Sequence, residues 1–332
     1  MQGWLAVGTI KVPLIATELT FSDRLGAWKA RWAIGRMNYI VPAGLYAIGS
    51  PTVDSPVIVT ANYKMSYDIV RSSLAGRSLW VLVLETFGIN VWCAAGKGTF
   101  GTEELVRQIE ASGLSQVVNH RRILLPILGA PGVAAHEVTR RTGFSIVYAT
   151  LRAVDLPAFL DNGLATTSKM RELTFLFRER LVLVPVEFVH ALKSLCIIGA
   201  IVFLATFFLY GSTAGIAMLI AYYGAALTGI LIAPLLLPYL PGRSFAVKGA
   251  QAGLGWSFLL FVLVDGKNWS LPVFVATFLA LPAVSAFYML NFTGCTTYTS
   301  RSGVKKEIRF AIPVIAGSIF ISILLLLSGR LL

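Results

Sequence analysis

Five long apolar runs in the C-terminal part constrain the fold of this 332-residue chain more than any other feature. They cover residues 194–210, 214–233, 250–264, 271–290 and 310–327, and none contains Asp, Glu, Lys or Arg. A helix of about 20 apolar residues crosses a bilayer, and each run except the short third one is near that length. The sequence therefore predicts an all-α transmembrane domain of about five helices over residues 194–332. Because the runs hold no ionisable side chain, an anchor is favoured over an ion or proton pathway.

The charged residues lie mostly before these runs. Residues 1–193 hold 20 of the 28 Lys and Arg residues and 14 of the 16 Asp and Glu residues. This division predicts a soluble domain over residues 1–165, a juxtamembrane linker over residues 166–193, and the membrane domain after it. The net charge is +12, but no basic run is interleaved with exposed aromatic residues, so we expect no nucleic-acid partner.

The connections between the apolar runs predict an orientation. The chain starts without the basic and apolar regions of a signal peptide, so we expect the first domain to stay in the cytoplasm. The second connection carries Arg243 and Lys248, and the fourth carries four basic residues over 301–309, whereas the third carries only Lys267. The positive-inside rule then predicts a multi-pass protein of the cytoplasmic (inner) membrane, with its C-terminus outside.

In the soluble half, short apolar runs alternate with helical segments. Four runs, most of them rich in β-branched residues, predict strands over 55–61, 78–85, 122–126 and 144–150. Three segments that end in glycine predict helices over 63–76, 102–113 and 133–143. The alternation predicts an α/β domain with a mostly parallel sheet and helices on both faces. Residues 1–50 have shorter apolar runs with several Gly and Pro residues, and we expect a β-rich extension there.

One segment of this half, GINVWCAAGKGTFGTEEL at 88–105, carries three conflicting signals. Its G-K-G-T-F-G formally matches a dinucleotide fingerprint, but about ten residues separate it from the preceding strand, and no suitably placed acidic residue follows. Its Gly96-Lys97 pair suggests a phosphate loop, but Gly98 stands where Ser or Thr is needed, and Gly88 is too far upstream. The remaining signal is Cys93.

A lone cysteine is usually a small buried apolar residue, and this interpretation stays open for Cys93. Three features favour a ligand instead. Asn90 is placed to cap a helix that begins just before the cysteine, and a helix N-terminus lowers a thiol pKa. Ala94, Ala95 and Gly96 leave one side of the turn flat enough for a large planar group. No CxxC or HExxH motif or nearby second cysteine completes a zinc site, so a single thiolate fits a metal whose other positions a macrocycle fills.

The residues around Cys93 carry a specific resemblance. The segments NVWCAAGKGTFGTEELVRQIEASG and VNHRRILLPILGAPGV, joined to five spans, closely resemble the membrane-anchored corrinoid protein of the bacterial mercury-methylation pair. SDRLGAWKARWAIGRM, NYKMSYDIVR and TTYTSRSGVKKE extend this resemblance over the whole chain. The octet at 90–97 is its most specific part. The soluble half also resembles, more weakly, the corrinoid-binding domain of the corrinoid iron–sulfur protein of acetyl-CoA synthesis.

This resemblance implies a Rossmann-like corrinoid-binding domain with a short cap helix. The cobalt of a base-off, cobalamin-type corrinoid would take Cys93 as its lower axial ligand, which makes Cys93 the metal ligand and the catalytic residue. The D-x-H-x-x-G loop of His-ligated corrinoid enzymes is absent; His120 is placed either at the cofactor periphery or, at least as readily, as a structural histidine. Further cofactor contacts are expected from the cap segment, namely Asn90, Ala94, Ala95, Gly96, Lys97, Gly98 and Thr99.

The nucleotide tail of the corrinoid is expected at the carboxyl ends of the strands, where open α/β sheets bind ligands. The loops there supply small and hydrogen-bonding residues: Thr60, Asn62, Ser66, Gly129, Ala130, Gly132, Val133, Arg152 and Ala153.

The resemblance also implies a reaction. Cobalt takes a methyl group from a donor of the methyl-folate type, and the resulting methylcob(III)alamin form passes it to Hg(II), giving methylmercury. Three scattered cysteines cannot hold an iron–sulfur cubane, so electrons would come from a ferredoxin-like partner with two [4Fe-4S] clusters. The alternative is a membrane-anchored corrinoid methyl carrier of one-carbon metabolism with another acceptor. A membrane structural protein that binds no metal is the interpretation from a different class.

Overall fold

The computed structural model describes residues 2–296 and 298–331. The chain divides into two compact units, Met1–Thr174 and Phe175–Leu332. The first contains a sheet and short helices, and the second is helical. This is the predicted architecture, an α/β domain followed by a helical region, and it is confirmed.

The first unit is built on a seven-stranded sheet in the order β1-β2-β3-β5-β4-β6-β7. Its strands are β1 Gly3–Val7, β2 Ile10–Ile15, β3 Gly44–Ile48, β4 Val57–Ala61, β5 Leu79–Leu84, β6 Arg122–Leu125 and β7 Ser145–Tyr148. The pairs β2–β3, β4–β5, β4–β6 and β6–β7 are parallel, and β1–β2 and β3–β5 are antiparallel. The sheet is therefore mostly parallel, and the four strands predicted from apolar runs form its parallel half, β4 to β7.

Eight helices belong to this unit: α1 Phe21–Arg31, α2 Lys64–Ser73, α3 Val91–Lys97, α4 Thr102–Ala111, α5 Leu114–Val117, α6 Ala135–Thr142, α7 Leu156–Asp161 and α8 Ser168–Arg171. The three helices expected from sequence correspond to α2, α4 and α6. Glycines stop α4 and α6 as expected, since Gly113 and Gly143 adopt left-handed φ values of 60° and 77°.

The central strands are buried on both faces, as continuous apolar runs of a parallel sheet should be. Val57, Val59 and Ala61 of β4 face a core shared with α3, α4 and α6. Ile58 faces the opposite core, which includes residues of α2 and α7. The two cores thus lie on opposite faces of the sheet. Because β4 to β7 are parallel, their carboxyl ends lie at the same edge of the sheet.

The segment over residues 1–50 forms the antiparallel hairpin β1–β2 and the strand β3, but it also contains α1, which was not expected. Thr20 caps α1 through a capping box with Asp23. The helix was missed because residues 1–50 were interpreted from their short apolar runs and their Gly and Pro residues, although Phe21, Leu25 and Trp28 recur at helical spacing.

The second unit contains α9 Phe177–Leu181, α10 Val184–Tyr210, α11 Ser212–Leu227, α12 Ala233–Leu235, α13 Phe245–Leu263, α14 Leu271–Phe292 and α15 Arg301–Leu331. A π-helical turn joins α11 to α12. Five helical stretches are long and apolar enough to cross a membrane, by length and composition: Phe177–Tyr210, Ser212–Leu235, Phe245–Leu263, Leu271–Phe292 and Ser302–Ser328. The five apolar runs are therefore helical. Helix α10, which contains the first apolar run, begins at Val184 and not at the expected residue 194. The predicted linker over residues 166–193 is therefore partly helical.

Candidate functional site

The loop between β5 and α3 is organised by the buried side chain of Asn62, which follows β4. Its Oδ1 accepts hydrogen bonds from the Thr86 amide at 3.1 Å, the Thr86 hydroxyl at 2.8 Å and the Gly88 amide at 3.3 Å. Its Nδ2 donates to Oε1 of Glu85. These hydrogen bonds give Asn62 a role in holding the loop that leads to Cys93, and its predicted contact with a cofactor stays a prediction.

The same loop contains an unusual backbone conformation. Phe87 has a positive φ of 55°, which is strained for a bulky residue. Its amide donates to Glu85 Oε1 at 2.9 Å, and the Glu85 amide donates to Oε1 of Glu104 at 2.7 Å. Two carboxylates and one amide side chain therefore fix the backbone just before α3.

Helix α3 carries Cys93 in its first turn. Asn90 caps it as expected, because Asn90 Oδ1 accepts from the Cys93 amide at 2.9 Å. The helix ends at Lys97, and Gly98 follows in the left-handed conformation with φ of 85°. The Gly98 amide donates to Ala95 O, while the Thr99 and Phe100 amides donate to Ala94 O. The helix is short, but both of its ends are closed by hydrogen bonds.

The electrostatics of Cys93 differ from the expectation of a lowered thiol pKa. Burial of the half-buried side chain raises the pKa of Cys93, and this outweighs the opposing effects of Lys97, Arg36 and the hydrogen bond with Asn90. The expectation considered only the helix N-terminus, and the dominant desolvation was not visible in the sequence. The raised pKa favours the neutral thiol of Cys93 at neutral pH.

The small residues after Cys93 divide between two faces of α3. Ala94 and Ala95 are buried in the core shared with α4 and α6, so they do not form the flat outer surface expected for them. Gly96 is exposed, and a Cβ there would meet no atom within 4 Å. Because residues three and four apart share a helix face, Gly96 and Lys97 lie beside Cys93. The helix surface next to the Cys93 thiol is therefore formed in part by a glycine, which leaves space beside the sulfur.

Close packing explains Gly101, the last glycine of the G-K-G-T-F-G segment, and two glycines of the segment after β6. A Cβ on Gly101 would lie 2.7 Å from Gly98 O, and one on Gly132 would lie 2.2 Å from Phe100 O and 3.0 Å from the Ala95 Cα. A Cβ on Gly129 would lie 2.5 Å from the Phe100 ring. Gly129 and Gly132, which were expected to touch a nucleotide tail, let the 3₁₀ segment Ile127–Gly132 pack against α3 and Phe100.

The remaining predicted tail contacts fall into two groups at the carboxyl edge of the sheet. Ala130 and the buried Val133 follow β6 beside α3. Thr60, Ser66 and Ala153 belong to the other side of the sheet, where α2 packs and Ala153 contacts the core. Arg152 precedes Ala153 after β7.

Thr60, one of the predicted tail contacts, carries a buried polar atom near the carboxyl end of β4. Its hydroxyl is buried and has no hydrogen-bond partner among the described residues. A buried hydroxyl normally finds a partner, and the predicted contact of Thr60 with a cofactor tail stays a prediction.

His120 lies away from this edge. It precedes β6 at its amino end, and its Nε2 lies 2.9 Å from Ser55 O, just before β4. The Arg122 amide donates to its Nδ1 at 3.2 Å. These hydrogen bonds fit the structural alternative for His120, and a contact at the cofactor periphery stays an untested prediction.

The sequence interpretation missed the turn over residues 36–40. Segment 39–41 pairs with residues 62–64, and Met37 O would lie 2.6 Å from a Cβ on Gly88. Gly88 adopts a positive φ of 72°, so both its conformation and its surroundings favour glycine. Arg36 of this turn also acts on the charge state of Cys93. No local pattern indicated the contact between Met37 and Gly88, because about fifty residues separate them along the chain.

The arrangement as a whole is an α/β unit that presents one thiol on a capped helix at the carboxyl edge of a mostly parallel sheet. Over residues 2–296 and 298–331, no group of three or more His, Cys, Asp and Glu side chains is placed to hold a metal ion. A metal at Cys93 would therefore need its other ligands from elsewhere.

Comparisons with known proteins concern this unit. A family model described as CO dehydrogenase/acetyl-CoA synthase delta subunit matches residues 36–153. The gamma subunit of the acetyl-CoA decarbonylase/synthase complex of Methanopyrus kandleri is 32% identical over 123 residues, which is 36% of this chain and 26% of that relative. The gamma subunit of Methanocaldococcus jannaschii is 32% identical over 130 residues, which is 39% of this chain and 26% of the relative. The gamma 2 subunit of Methanosarcina mazei is 36% identical over 99 residues, 29% and 21% of the two chains.

The family match over residues 36–153 covers the region that contains Cys93 and its supporting loops. The chain spans only 26% of the length of each of the first two relatives. They support the weaker of the two resemblances, that of the soluble half to corrinoid proteins of acetyl-CoA synthesis. They do not test the resemblance to the mercury-methylation protein.

Proposed function

We propose that the first unit binds a corrinoid against the exposed face of α3 and that the protein transfers a methyl group. The observation that carries this proposal is the single thiol of Cys93, half-buried beside Gly96 on a helix that is fixed at both ends. One protein ligand suits a metal whose equatorial positions a macrocycle already fills. A bound corrinoid supplies a cobalt centre that accepts and releases a methyl group.

The protein's own residues have distinct roles in this proposal. Cys93 would hold the cobalt of the corrinoid through its sulfur, and Asn90 holds the backbone of its turn through the 2.9 Å hydrogen bond. Asn62, Glu85 and Glu104 act indirectly, because they fix the loop before α3. Gly96 keeps the approach to the thiol open. These positioning groups matter because metal affinity depends on the groups that orient a ligand.

Because burial favours the neutral thiol, binding of a metal at Cys93 involves the release of a proton. A thiol ligates a metal as thiolate, so the Cys93 proton has to leave when the sulfur binds. Lys97 and Arg36, which act to lower the pKa of Cys93, favour the charged sulfur in that state.

We propose Hg(II) as the methyl acceptor. The support is the octet NVWCAAGK at 90–97 and its combination with five membrane-length helices, both of which resemble the mercury-methylation protein. The methyl donor would be of the methyl-folate type. The chain has three cysteines, fewer than one [4Fe-4S] cluster needs, so a ferredoxin-like protein with two such clusters would supply electrons.

A second candidate is a membrane-anchored corrinoid methyl carrier of one-carbon metabolism. The observation that favours it is the similarity of residues 36–153 to subunits of the CO dehydrogenase/acetyl-CoA synthase complex. Both candidates share the corrinoid and Cys93 and differ only in the acceptor.

In either case we propose that the five helices anchor the protein in the cytoplasmic membrane. Basic residues in two of the connections, Arg243 and Lys248 in one and 305–309 in the other, support a cytoplasmic first unit and an outer C-terminus.

Methyl transfer by the full chain tests the function and separates the two candidates. The protein is loaded with methylcobalamin in detergent or nanodiscs, and isotope-labelled methyl is followed into Hg(II) or into a nickel-bound or thiol acceptor. Label in methylmercury supports the proposed acceptor, and label only in the other acceptors supports the carrier. If the chain binds no cobalamin, both candidates are wrong.

A further inference from the structure

Helix α1 carries an apolar stripe that faces away from its own domain. Phe21, Leu25, Trp28 and Trp32 follow one another at spacings of four, three and four residues, so they share one face. Their exposed fractions are 79%, 38%, 59% and 36%, and the two indole rings lie 6.2 Å apart. A soluble surface rarely places four large apolar side chains in one row.

The opposite face of α1 fixes this orientation. Asp23 forms ion pairs with Lys64 at 2.5 Å and with Arg71 at 2.8 Å, both from α2. The Tyr39 hydroxyl donates to Asp23 O at 2.9 Å, and Gly26 lies against the Tyr39 ring. The charged face of this amphipathic helix therefore points inward, and its apolar face is held outward by a buried network.

Basic residues border the stripe. Arg24 and Lys29 are exposed, and Arg31 and Arg36 follow near the end of α1 and in the next turn. The one acidic residue of α1, Asp23, is already paired with two cations. The outer surface of α1 therefore combines aromatic and aliphatic side chains with uncompensated positive charge.

Two features indicate what covers this surface. Tryptophan and phenylalanine flanked by Lys and Arg are typical of helices that lie in the interface of a membrane, where the rings enter the acyl boundary and the cations meet anionic headgroups. The same polypeptide continues into five helices long enough to cross a membrane, so a bilayer lies within reach of this unit.

We propose that α1 is an interfacial helix that lies on the anionic surface of the membrane in which this chain is anchored. Phe21, Leu25, Trp28 and Trp32 insert at the boundary of the acyl region, and Arg24 and Lys29 contact lipid phosphates. This surface needs no corrinoid, so the inference rests on the proposed membrane anchoring and not on the proposed methyl transfer. A separate protein that binds the stripe is the competing occupant.

Quenching of tryptophan fluorescence by brominated lipid tests the inference on the full chain. The protein is placed in nanodiscs of phosphatidylcholine and phosphatidylglycerol, with or without bromine on the acyl chains. The chain contains seven tryptophans, so the signal of interest is the quenching lost on substitution. We expect Trp28→Phe and Trp32→Phe each to remove part of the bromine-dependent quenching. Trp4→Phe is the matched control, because Trp4 is 62% exposed on β1 and outside the stripe.

Charge provides the second arm of the test. We expect Arg24→Gln with Lys29→Gln to reduce the quenching of Trp28 and Trp32 in discs that contain phosphatidylglycerol, with little change in discs of phosphatidylcholine alone. Hydrogen exchange of α1 shows whether the variants keep the helix, since none of them touches the Asp23 network.

The inference is overturned if Trp28→Phe and Trp32→Phe change bromine-dependent quenching no more than Trp4→Phe does. It is also overturned if a water-soluble quencher still quenches the fluorescence of Trp28 and Trp32 in nanodiscs. That result is expected if the stripe binds a separate protein and not the membrane.

Discussion

At the scale of single residues, the environment of Cys93 decides its chemistry. The side chain is half-buried, so the charged form loses solvation, and the pKa of the thiol lies above its ordinary value. Two cations, Lys97 and Arg36, act against this effect. Burial therefore favours the neutral thiol at Cys93, and a thiol ligates a metal only after it has lost its proton.

The pH dependence of alkylation tests this environment. Because thiolate is the reactive form, the rate of Cys93 alkylation by iodoacetamide should rise with pH to an inflection above about 8.5, the ordinary cysteine value. Lys97→Gln should move the inflection higher, since one of the groups that lowers the pKa is removed. Peptide mass mapping separates Cys93 from the other cysteines, and Arg140→Gln on α6 is an exposed control. An inflection below the ordinary value would show that burial does not dominate.

Residue roles were the hardest feature to predict from sequence. Asn90 was correctly assigned as a cap because capping depends on residues three positions apart. Asn62 was assigned to the cofactor, yet its partners Glu85, Thr86 and Gly88 lie 23 to 26 positions along the chain. Such partners are brought together only by the pairing of β4 with β5, which no local pattern specifies.

At the scale of elements, the two faces of α3 have different tasks. Ala94 and Ala95 are small because the segment Ile127–Gly132 packs closely against them. Gly96 is small on the outer face, where space is open. Bulk on the two faces should therefore act in different ways.

Substitutions by phenylalanine separate these tasks. We expect Ala95→Phe to overpack the core and lower the free energy of unfolding by about 1–3 kcal/mol, with loss of cobalamin as a consequence. Gly96→Phe should leave the thermal stability of the first unit nearly unchanged and still prevent cobalamin binding. Arg140→Phe, on the exposed surface of α6, is the control and should affect neither. Normal cobalamin binding by a folded Gly96→Phe protein would show that the ligand does not approach this face.

The docking of α1 on α2 predicts a dependence on acid. Burial alone would raise the pKa of Asp23, but the hydrogen bonds from Lys64, Thr20 and Arg71 outweigh it and hold the pKa well below its usual range. A carboxyl with a lowered folded pKa stabilises the fold above its unfolded pKa, about 3.9, and this contribution is lost as the pH falls further.

We therefore expect the hydrogen-exchange protection of α1, corrected for intrinsic rates, to decrease below about pH 4. Asp23→Asn should remove this dependence and leave α1 less protected at neutral pH, whereas Asp54→Asn in an exposed loop should behave as the unsubstituted chain. Protection of α1 that stays constant to pH 3 in the unsubstituted chain would contradict the role of Asp23.

The regular elements were predicted well where one face or both faces meet a core. Strands β4 to β7 and helices α2, α4 and α6 were found because apolar spacing reports burial. Helix α1 was missed because residues 1–50 were interpreted as β-rich from their Gly and Pro residues, and the helical spacing of Phe21, Leu25 and Trp28 was not used. The start of α10 was placed too late because charged residues such as Glu187 and Lys193 lie inside the helix but outside the apolar run.

At the scale of the whole molecule, charge and apolarity separate the chain into an α/β unit and a helical unit. Composition was sufficient to predict both, because the five membrane-length helices exclude ionisable side chains over most of their length. Their orientation depends only on the basic connections and stays a prediction.

Cysteine labelling of the connections tests this orientation. In intact spheroplasts, a membrane-impermeant maleimide should label Asn268→Cys, which lies in the third connection. It should not label Pro241→Cys, in the second connection, until the cells are opened. The unsubstituted chain shows the background from its own three cysteines. The reverse pattern would place the first unit outside the cytoplasm and contradict the predicted localisation.

The central claim is that Cys93 ligates the cobalt of a bound corrinoid, and the visible spectrum of the cobalamin-loaded full chain tests it most directly. We predict that the unsubstituted protein shows a base-off spectrum with a sulfur-to-cobalt charge-transfer band. Cys93→Ala should lose that band and the methyl transfer while keeping its fold. Cys196→Ala, which changes an exposed cysteine of α10, should keep both. If the folded Cys93→Ala protein and the unsubstituted protein have the same spectrum, then Cys93 is not the ligand.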